Sequence, residues 1–583
     1  MSQAAASPDD PAASPWEGPR RIGELLVAAG AVTPGDIELA LRRKQRSERL
    51  GDTVVRLGMC SEDDISNAVA DRLRLSRVDV SVVRPQREAI ALVAADVAER
   101  LDILPLRIEH GILVVATADP DVGMLDDLRL LTRARHVRAE IAAATPVRVA
   151  RRRAYRRELT LRGPVPQPTP EEPSEPVDEH SVVQLLDRLV TDAIESRASD
   201  LHFEPDPRGL RVRMRVDGML REVAHLPTAL APQVVSRIKI LAELDISERR
   251  LPQDGRAGMR TPLGEVDLRV ATMPTLYGEK AVLRLLARGG DRIRVGSLGL
   301  SADTRTRFVA ALTRPQGLVL VTGPTGSGKT TTLYAGLAAI VDETRNVLTL
   351  EDPIEYELEG VNQTQVDPRI GLTFASGLRH LLRQDPDVVL VGEIRDQETA
   401  QLAVEAAMTG HLVLASMHTN DAASSVARLV DLGADPFLVR ASLLLVLGQR
   451  LLRTVCTGCA TPDTPSDEAL GHLGLGREDL AGATPMRGRG CLACDDAGER
   501  GRIAASELLS VGPELRGLLS TAVSEDAIAA AARGAGMRTL REDALARAYR
   551  GEVTFDEVLR TTPDASGDPR SLRGGGGPAP AVR

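Results

Sequence analysis

Two hydrophobic periodicities alternate along the chain, and each marks a different kind of element. Val182, Leu185, Leu186, Leu189, Val190 and Ile194 recur at the spacing of one helix face. Ser181 and Gln184 form a capping-box pair just ahead of them, which predicts a helix start. Further on, Leu210, Val212, Met214 and Val216 alternate with Arg211, Arg213 and Arg215, the pattern of a half-buried strand. Asp217-Gly218 closes it as a tight turn. A third pattern fills the middle of the chain. Residues 318–321, 347–350, 388–391 and 412–415 are nearly unbroken apolar runs, as expected of strands buried on both faces of a parallel sheet.

Each of these runs ends in polar residues. The second leads into Glu351, Asp352 and Glu355, the third into Gly392 and Glu393, and the fourth into Ser416, His418, Thr419 and Asn420. Ligands of parallel α/β sheets sit at the carboxyl ends of the strands, so these clusters are expected to converge on one site. The first run supplies the phosphates' cradle. It leads into Gly323, Pro324, Thr325, Gly326, Ser327, Gly328, Lys329, Thr330 and Thr331, which hold the complete phosphate-loop spacing. Glycines there let backbone N–H groups converge on ATP, and Lys329 reaches the β- and γ-phosphates. Thr330 is expected to ligate Mg2+. Glu393, beyond a Walker B type strand that begins after Asp387, is placed to act on the magnesium shell or its water. Glu351 and Glu355 compete for polarising the attacking water, and His411 and His418 are candidates for sensing the γ-phosphate. Only Lys44, Lys239, Lys280 and Lys329 are lysines in a chain loaded with arginine, which fits a site that requires a compact ammonium.

Segment composition divides the rest. Residues 1–19 and 563–583 read as disordered tails, and 161–179, rich in Pro and Glu, as a spacer. Between tail and spacer, residues 20–160 open on an internal repeat with a period of about 28 residues. Arg21 matches Arg49, Gly23 matches Gly51, Gly30 matches Gly58 and Ile37 matches Ile65. This is either a duplicated helical hairpin with turn glycines, or a ligand groove in which paired glycines and arginines meet a phosphate or base. After the spacer we expect an α+β domain over 180–295, an ATPase core over 296–452, a cysteine-bearing segment over 453–502 and helices over 503–562.

Composition narrows the function classes. Aromatics make up 2% of the residues and the net charge is -9, which disfavours a nucleic-acid binder. The longest apolar stretches, such as 443–447, fall far short of the ~20 residues a membrane span needs. The N-terminus lacks a basic start followed by an apolar core, so a cytoplasmic location is expected. In that reducing setting Cys456, Cys459, Cys491 and Cys494 form two C-x-x-C pairs suited to a closed four-thiolate Zn2+ site, with a redox-active pair as the alternative. Cys60 stands alone and reads as a small buried apolar residue.

The segments LEDPIEY, DVVLVGEIRD and TGHLVLASMHTND resemble the Asp, Walker B and His boxes of the ATPases that drive type IV pilus assembly and type II secretion. With ASDLHFEP, RVDG, LPQDGR and TLYGEKAVLRLL upstream, the resemblance covers roughly 181–560. It implies an α/β protein: a RecA-like P-loop motor domain, a PAS-like α+β domain, a helical/α+β N-terminal domain and a zinc-binding insertion. It also implies a homo-hexamer in which Arg269, Arg284, Arg379 and Arg383 reach the γ-phosphate, and an inner-membrane platform protein as partner. The chain would then be peripheral to the membrane, without direct nucleic-acid contact. The N-terminal repeat is similar to a domain that in some members binds cyclic di-GMP, although the first copy ends with Gln45 and the second with Leu73. Zinc-ligating cysteines of this kind favour the assembly and secretion branch. A nucleic-acid translocase and a non-catalytic nucleotide sensor are the rival readings.

Overall fold

The computed structural model describes residues 22–44, 50–120, 122–132, 134–161, 179–261, 264–287, 294–519 and 524–562. Both expected tails, Arg21, Gln45, Arg49 and spacer residues 162–178 lie outside the described residues. The chain forms two compact units, one of residues 1–172 with 457–459 and 489–498, the other of 173–456, 460–488 and 499–583.

In the first unit, α1 (Ile22–Ala28), α2 (Pro34–Arg43), α3 (Leu50–Arg56) and α4 (Glu62–Leu73) express the repeat twice. Thr33 and Ser61 cap α2 and α4 with matching boxes closed by Asp36 and Asp64. Gly30 and Gly58 turn at φ 71° and 69°, and a Cβ on Gly23 or Gly51 would come within 3.4 or 3.3 Å of Ile37 or Ile65. Sequence duplication is thus packing duplication, around Leu26, Val32, Ala40, Val54 and Ala68. Four helices, α5 (Arg87–Leu92), α6 (Ala95–Arg100), α7 (Val122–Thr132) and α8 (Ala144–Leu161), accompany a three-stranded sheet. Its strands are β1 (Ile103–Glu109), β2 (Ile112–Thr117) and β3 (His136–Ile141), with β1 antiparallel and β3 parallel to β2.

The second unit begins with α9 (Glu179–Glu195). The helix starts ahead of the expected cap, so Ser181 lies inside its first turn. It is followed by β4 (Ala198–Asp206), β5 (Gly209–Val216), β6 (Met219–Pro227), α10 (Ala231–Leu241), β7 (Gln253–Thr261), β8 (Gly264–Thr275) and β9 (Gly278–Ala287). The strands form an antiparallel sheet in the order β6-β5-β4-β9-β8-β7. Leu210, Val212 and Met214 point into its core as the alternation requires. Asp217 and Gly218 both adopt positive φ, 49° and 85°, as a two-residue hairpin turn demands.

Next come α11 (Ala302–Leu312), β10 (Gly317–Thr322), α12 (Lys329–Ile340), β11 (Val347–Glu351), β12 (Asn362–Gln365), α13 (Phe374–Leu381), β13 (Val388–Val391), α14 (Gln397–Met408), β14 (Leu412–Met417), α15 (Ala422–Asp431), α16 (Pro436–Ser442) and β15 (Leu443–Val455). An excursion with the short pair β16 (Ala460–Pro462) and β17 (Met486–Gly488) and helix α17 (Asp467–His472) leads to β18 (Glu499–Ser510). Helices α18 (Pro513–Leu518), α19 (Glu525–Gly534), α20 (Leu540–Tyr549) and α21 (Phe555–Thr561) complete the described chain.

The seven strands of this sheet run β12-β11-β13-β14-β10-β15-β18, all parallel except β18. Leu318, Leu320, Val389, Val391, Val413 and Ala415 pack on one face. Val319, Val321, Val388, Leu390, Leu412 and Leu414 pack on the other. Burial on both sides is what made these runs continuous rather than alternating. The sheet extends past the expected core boundary at 452, because its seventh strand returns from beyond the cysteine excursion to pair along β15.

Candidate functional site

The phosphate loop leaves β10 at the carboxyl edge of the sheet and ends where α12 begins. Gly323, Gly326 and Gly328 take φ of 147°, 79° and 89°. A Cβ on Gly323 would lie 2.5 Å from the Gln449 carbonyl, and one on Gly328 would lie 2.7 Å from Gln449 Nε2. Glycine is required there by both backbone angle and space. Gly328 caps α12 without a side-chain acceptor, leaving the positive end of the helix to face the loop. Lys329 is 8% exposed, and its Nζ donates to the Gly323 and Pro324 carbonyls at 2.8 and 3.2 Å. Burial pulls its pKa below the usual lysine value, while Glu393 opposes that shift. The ammonium therefore already curls over the cradle that phosphates would fill.

The three other strand ends lie along the same edge, because β11, β13 and β14 run parallel to β10. Glu393 Oε1 pairs with Arg395 Nε at 2.5 Å and His418 Nε2 at 3.3 Å. A Cβ on Gly392 would lie 3.1 Å from the Leu350 carbonyl, so glycine lets the Glu393 turn press against β11. Ser416 Oγ donates to the Gly392 carbonyl at 2.6 Å and fixes that turn from β14. Glu351 is engaged differently. Buried at the end of β11, it accepts from Tyr334 Oη, from Thr349 Oγ1 at 2.6 Å and from Gln363 Nε2 at 3.1 Å. Burial and this carboxylate push the Tyr334 hydroxyl well above its usual pKa. Glu355 lies 3.7 Å from Arg269 Nη1, and Arg269 Nη2 donates to the Ile354 carbonyl at 2.6 Å.

Not every expected residue joins this edge. His411 precedes β14, at the amino end of the strand, where its Nδ1 lies 3.0 Å from the Ala406 carbonyl at the end of α14. A role for His411 in sensing phosphate is therefore set aside, since the loop is at the other end of the sheet. Arg284 pairs with Asp200 at 3.0 Å, Arg379 with Glu398, and Arg383 Nη2 with His380 Nδ1 at 2.8 Å. Arg284 and Arg379 are substantially exposed, at 59% and 49% of their side chains.

Two residues of the site were missed in the sequence. Gln449 and Arg450 follow the apolar run 443–447 on β15, the same signature that marked the other strand ends. Arg450 Nη2 donates to the Asn420 carbonyl at 2.9 Å. Beside them opens a cavity of about 800 Å³ bounded by Thr325, Ser327, Arg450, Glu507, Arg533 and Thr539, among others. Glu507 accepts from the first N–H of α15, Ala422, at 2.5 Å and from that of α20, Leu540, at 3.1 Å.

Burial pushes the Glu507 carboxyl up to about 7, although both N–H donors oppose the shift. Its proton is held more tightly in the folded than in the unfolded chain. Its stabilisation is complete below the unfolded value of 4.5 and is lost as pH rises to about 7. Glu507→Gln is expected to remove about 3 kcal/mol of pH-dependent stability between those limits, read from melting temperatures across the range. An unchanged slope would assign the dependence to another group.

The cysteine centre is built on short loops. Among the described residues, the sulfurs of Cys456, Cys459, Cys491 and Cys494 lie within 4.8 Å of one another. Cys459–Cys494 and Cys491–Cys494 are separated by 3.8 and 3.7 Å. A tetrahedron with metal–sulfur bonds of about 2.3 Å has edges of about 3.8 Å, so the set fits zinc and is far too open for disulfides. Burial pushes the Cys494 thiol up, but N–H donors from Cys491 and Gly498, together with the Cys491 and Cys459 thiols, outweigh it and hold the thiol below its usual value. Gly490 N–H donates to Cys459 Sγ at 3.3 Å in the same manner.

Comparison with known proteins gives the following. The family model described as Type II/IV secretion system protein matches residues 175–560, and the MshEN domain model matches 73–161. A type IV pilus assembly ATPase, PilB, of Thermus thermophilus is 42% identical over 488 residues, covering 82% of this chain and 55% of that protein. A type II secretion system protein E of Dickeya dadantii is 48% identical over 385 residues, covering 66% of this chain and 76% of that protein. In fold, the X-ray structure of the Yersinia pseudotuberculosis ATPase DotB is similar with a TM-score of 0.50 at 20% identity, covering 67% of this chain and 95% of that one.

Proposed function

Because the chain belongs to the Type II/IV secretion system protein family, we propose that it is the hexameric ATPase that drives assembly of a type IV pilus or a type II secretion pseudopilus at the cytoplasmic membrane. The observation that carries this is the uncapped start of α12 behind a complete phosphate loop, with Glu393 close enough to favour the charged form of Lys329. The chain spans only 55% of the length of its Thermus thermophilus relative, so this concerns the motor and not every activity of the larger protein.

ATP would lie with its phosphates in the loop and its nucleoside in the cavity lined by Arg450 and Thr539. Thr330, exposed at the start of α12, and Glu393 would hold magnesium, directly and through its water. When bound, that ion supplies charge neutralisation at the phosphate oxygens. Glu393 is favoured over Glu351 for handling the attacking water. Glu351 is saturated by three donors, whereas Glu393 is held at one oxygen by Arg395 and His418. Glu355 remains the second candidate.

Arg284 and Arg379, exposed and paired with the carboxylates of Asp200 and Glu398, suit contacts with a neighbouring subunit's nucleotide; Arg269 and Arg383 complete that set. Hydrolysis at such boundaries would move the N-terminal unit and push a membrane platform protein. No described helix is long and apolar enough to cross a membrane, which suits a peripheral motor. The duplicated hairpins of the N-terminal unit would take cyclic di-GMP.

Glu393→Gln keeps the size of the side chain while removing its charge. It is expected to bind ATP yet release phosphate at least ~10²-fold more slowly than the parent. Equal rates would remove Glu393 from the chemistry, and a parent with no turnover would leave only a nucleotide sensor.

A further inference from the structure

Gln449 stands just beyond the last pair of the β10–β15 ladder, Thr322 with Gly448, so its strand continues alongside the phosphate loop. It is 2% exposed, and both ends of its amide are occupied. Nε2 donates to the Ser327 carbonyl at 2.7 Å, and Oε1 accepts from Thr332 Oγ1, in the first turn of α12, at 2.8 Å. Its own backbone carbonyl, with Ser327 Oγ, excludes a side chain from Gly323, and its Nε2 excludes one from Gly328. One residue therefore adjoins the loop at its entry, Gly323, and at its exit, Ser327 and Gly328.

The contact with Ser327 has a directional consequence. In a trans peptide unit the C=O and the following N–H point to opposite sides. With the Ser327 carbonyl held by Gln449, the N–H of the same unit, that of Gly328, points the opposite way, away from the Gln449 amide. A buried amide is stiff support for this, because releasing either hydrogen bond would strand a polar atom away from water.

We propose that Gln449 is a positioning residue for the triphosphate, acting through Ser327 to aim the Gly328 N–H at a phosphate oxygen. The inference rests on the reading of the loop as an ATP site and extends it to a residue outside the loop. The aimed donor meets the β-phosphate region alike before and during cleavage, so the effect belongs to binding more than to chemistry.

The test uses the full chain with magnesium and either ADP or ATP, measuring dissociation constants, KM and kcat. Gln449→Met preserves length and burial but offers neither donor nor acceptor. It is expected to weaken ADP and ATP about tenfold each, raise KM in step and change kcat by less than about twofold. The double variant Gln449→Met with Thr332→Val leaves no stranded hydroxyl, which removes that cost of the single variant, and it should show the same tenfold loss. Thr332→Val alone keeps the Ser327 bond and should bind ADP like the parent. A folded Gln449→Met or double variant that binds ADP as tightly as a binding-competent parent overturns the inference alone. A parent that binds neither nucleotide overturns the ATP reading and the inference with it.

Discussion

Lys329→Ala is expected to abolish measurable ATP turnover, a fall of ~10³-fold or more, while leaving the fold intact. Removing one preorganised donor from a developing phosphate charge costs ~10²-fold to 10³-fold in other enzymes. Here the donor is a full positive charge whose burial makes it dearer to replace. The side chain donates only to the Gly323 and Pro324 carbonyls of the loop itself, so its loss frees two acceptors there. Phosphate release and the melting temperature, measured side by side, check this. Turnover within tenfold of the parent would mean that the loop does not hold the phosphates being cleaved.

The cysteine centre gives the second large effect. Cys491→Ser is expected to lose stoichiometric zinc and to unfold the loops around residues 456–459 and 489–498. Structural zinc supplies apparent binding energies of ~10 kcal/mol or more, and loops of this length have no comparable alternative. The short pair β16–β17 offers only three residue pairs of backbone support. Limited proteolysis with metal analysis would show cleavage within 456–498 in the variant and protection in the parent. Parent protein that carries no zinc, or a variant cleaved no faster, would remove the structural role of the metal.

Much of the seven-stranded sheet was legible because parallel strands leave a strong trace. Runs such as 388–391 must be apolar on both faces, and β13 occupies those residues. The glycine loop after β10 was equally plain as a loop, since its glycines answer to backbone angles that hardly any other residue adopts. The Asp217-Gly218 turn was legible for the same reason.

What escaped was set by contacts distant in sequence. β18 pairs with β15 across the whole cysteine excursion, and nothing local in either strand announces that register. Glu351 looked like Glu393, a carboxylate at a strand end, until Tyr334 and Gln363 were found to occupy it. His411 shared a strand with His418 but flanks its opposite end. Gln449 was within reach: an apolar run ending in Gly448, Gln449 and Arg450 repeats the signature of the neighbouring strands.

At the centre of the account is one triphosphate held and split where four parallel strands end. The initial rate of phosphate release from ATP by the assembled full-length chain, with magnesium present and then withheld, tests this most directly. Saturable release that requires magnesium is the expected result. Absence of release at any ATP concentration, in protein shown to be assembled, would contradict it.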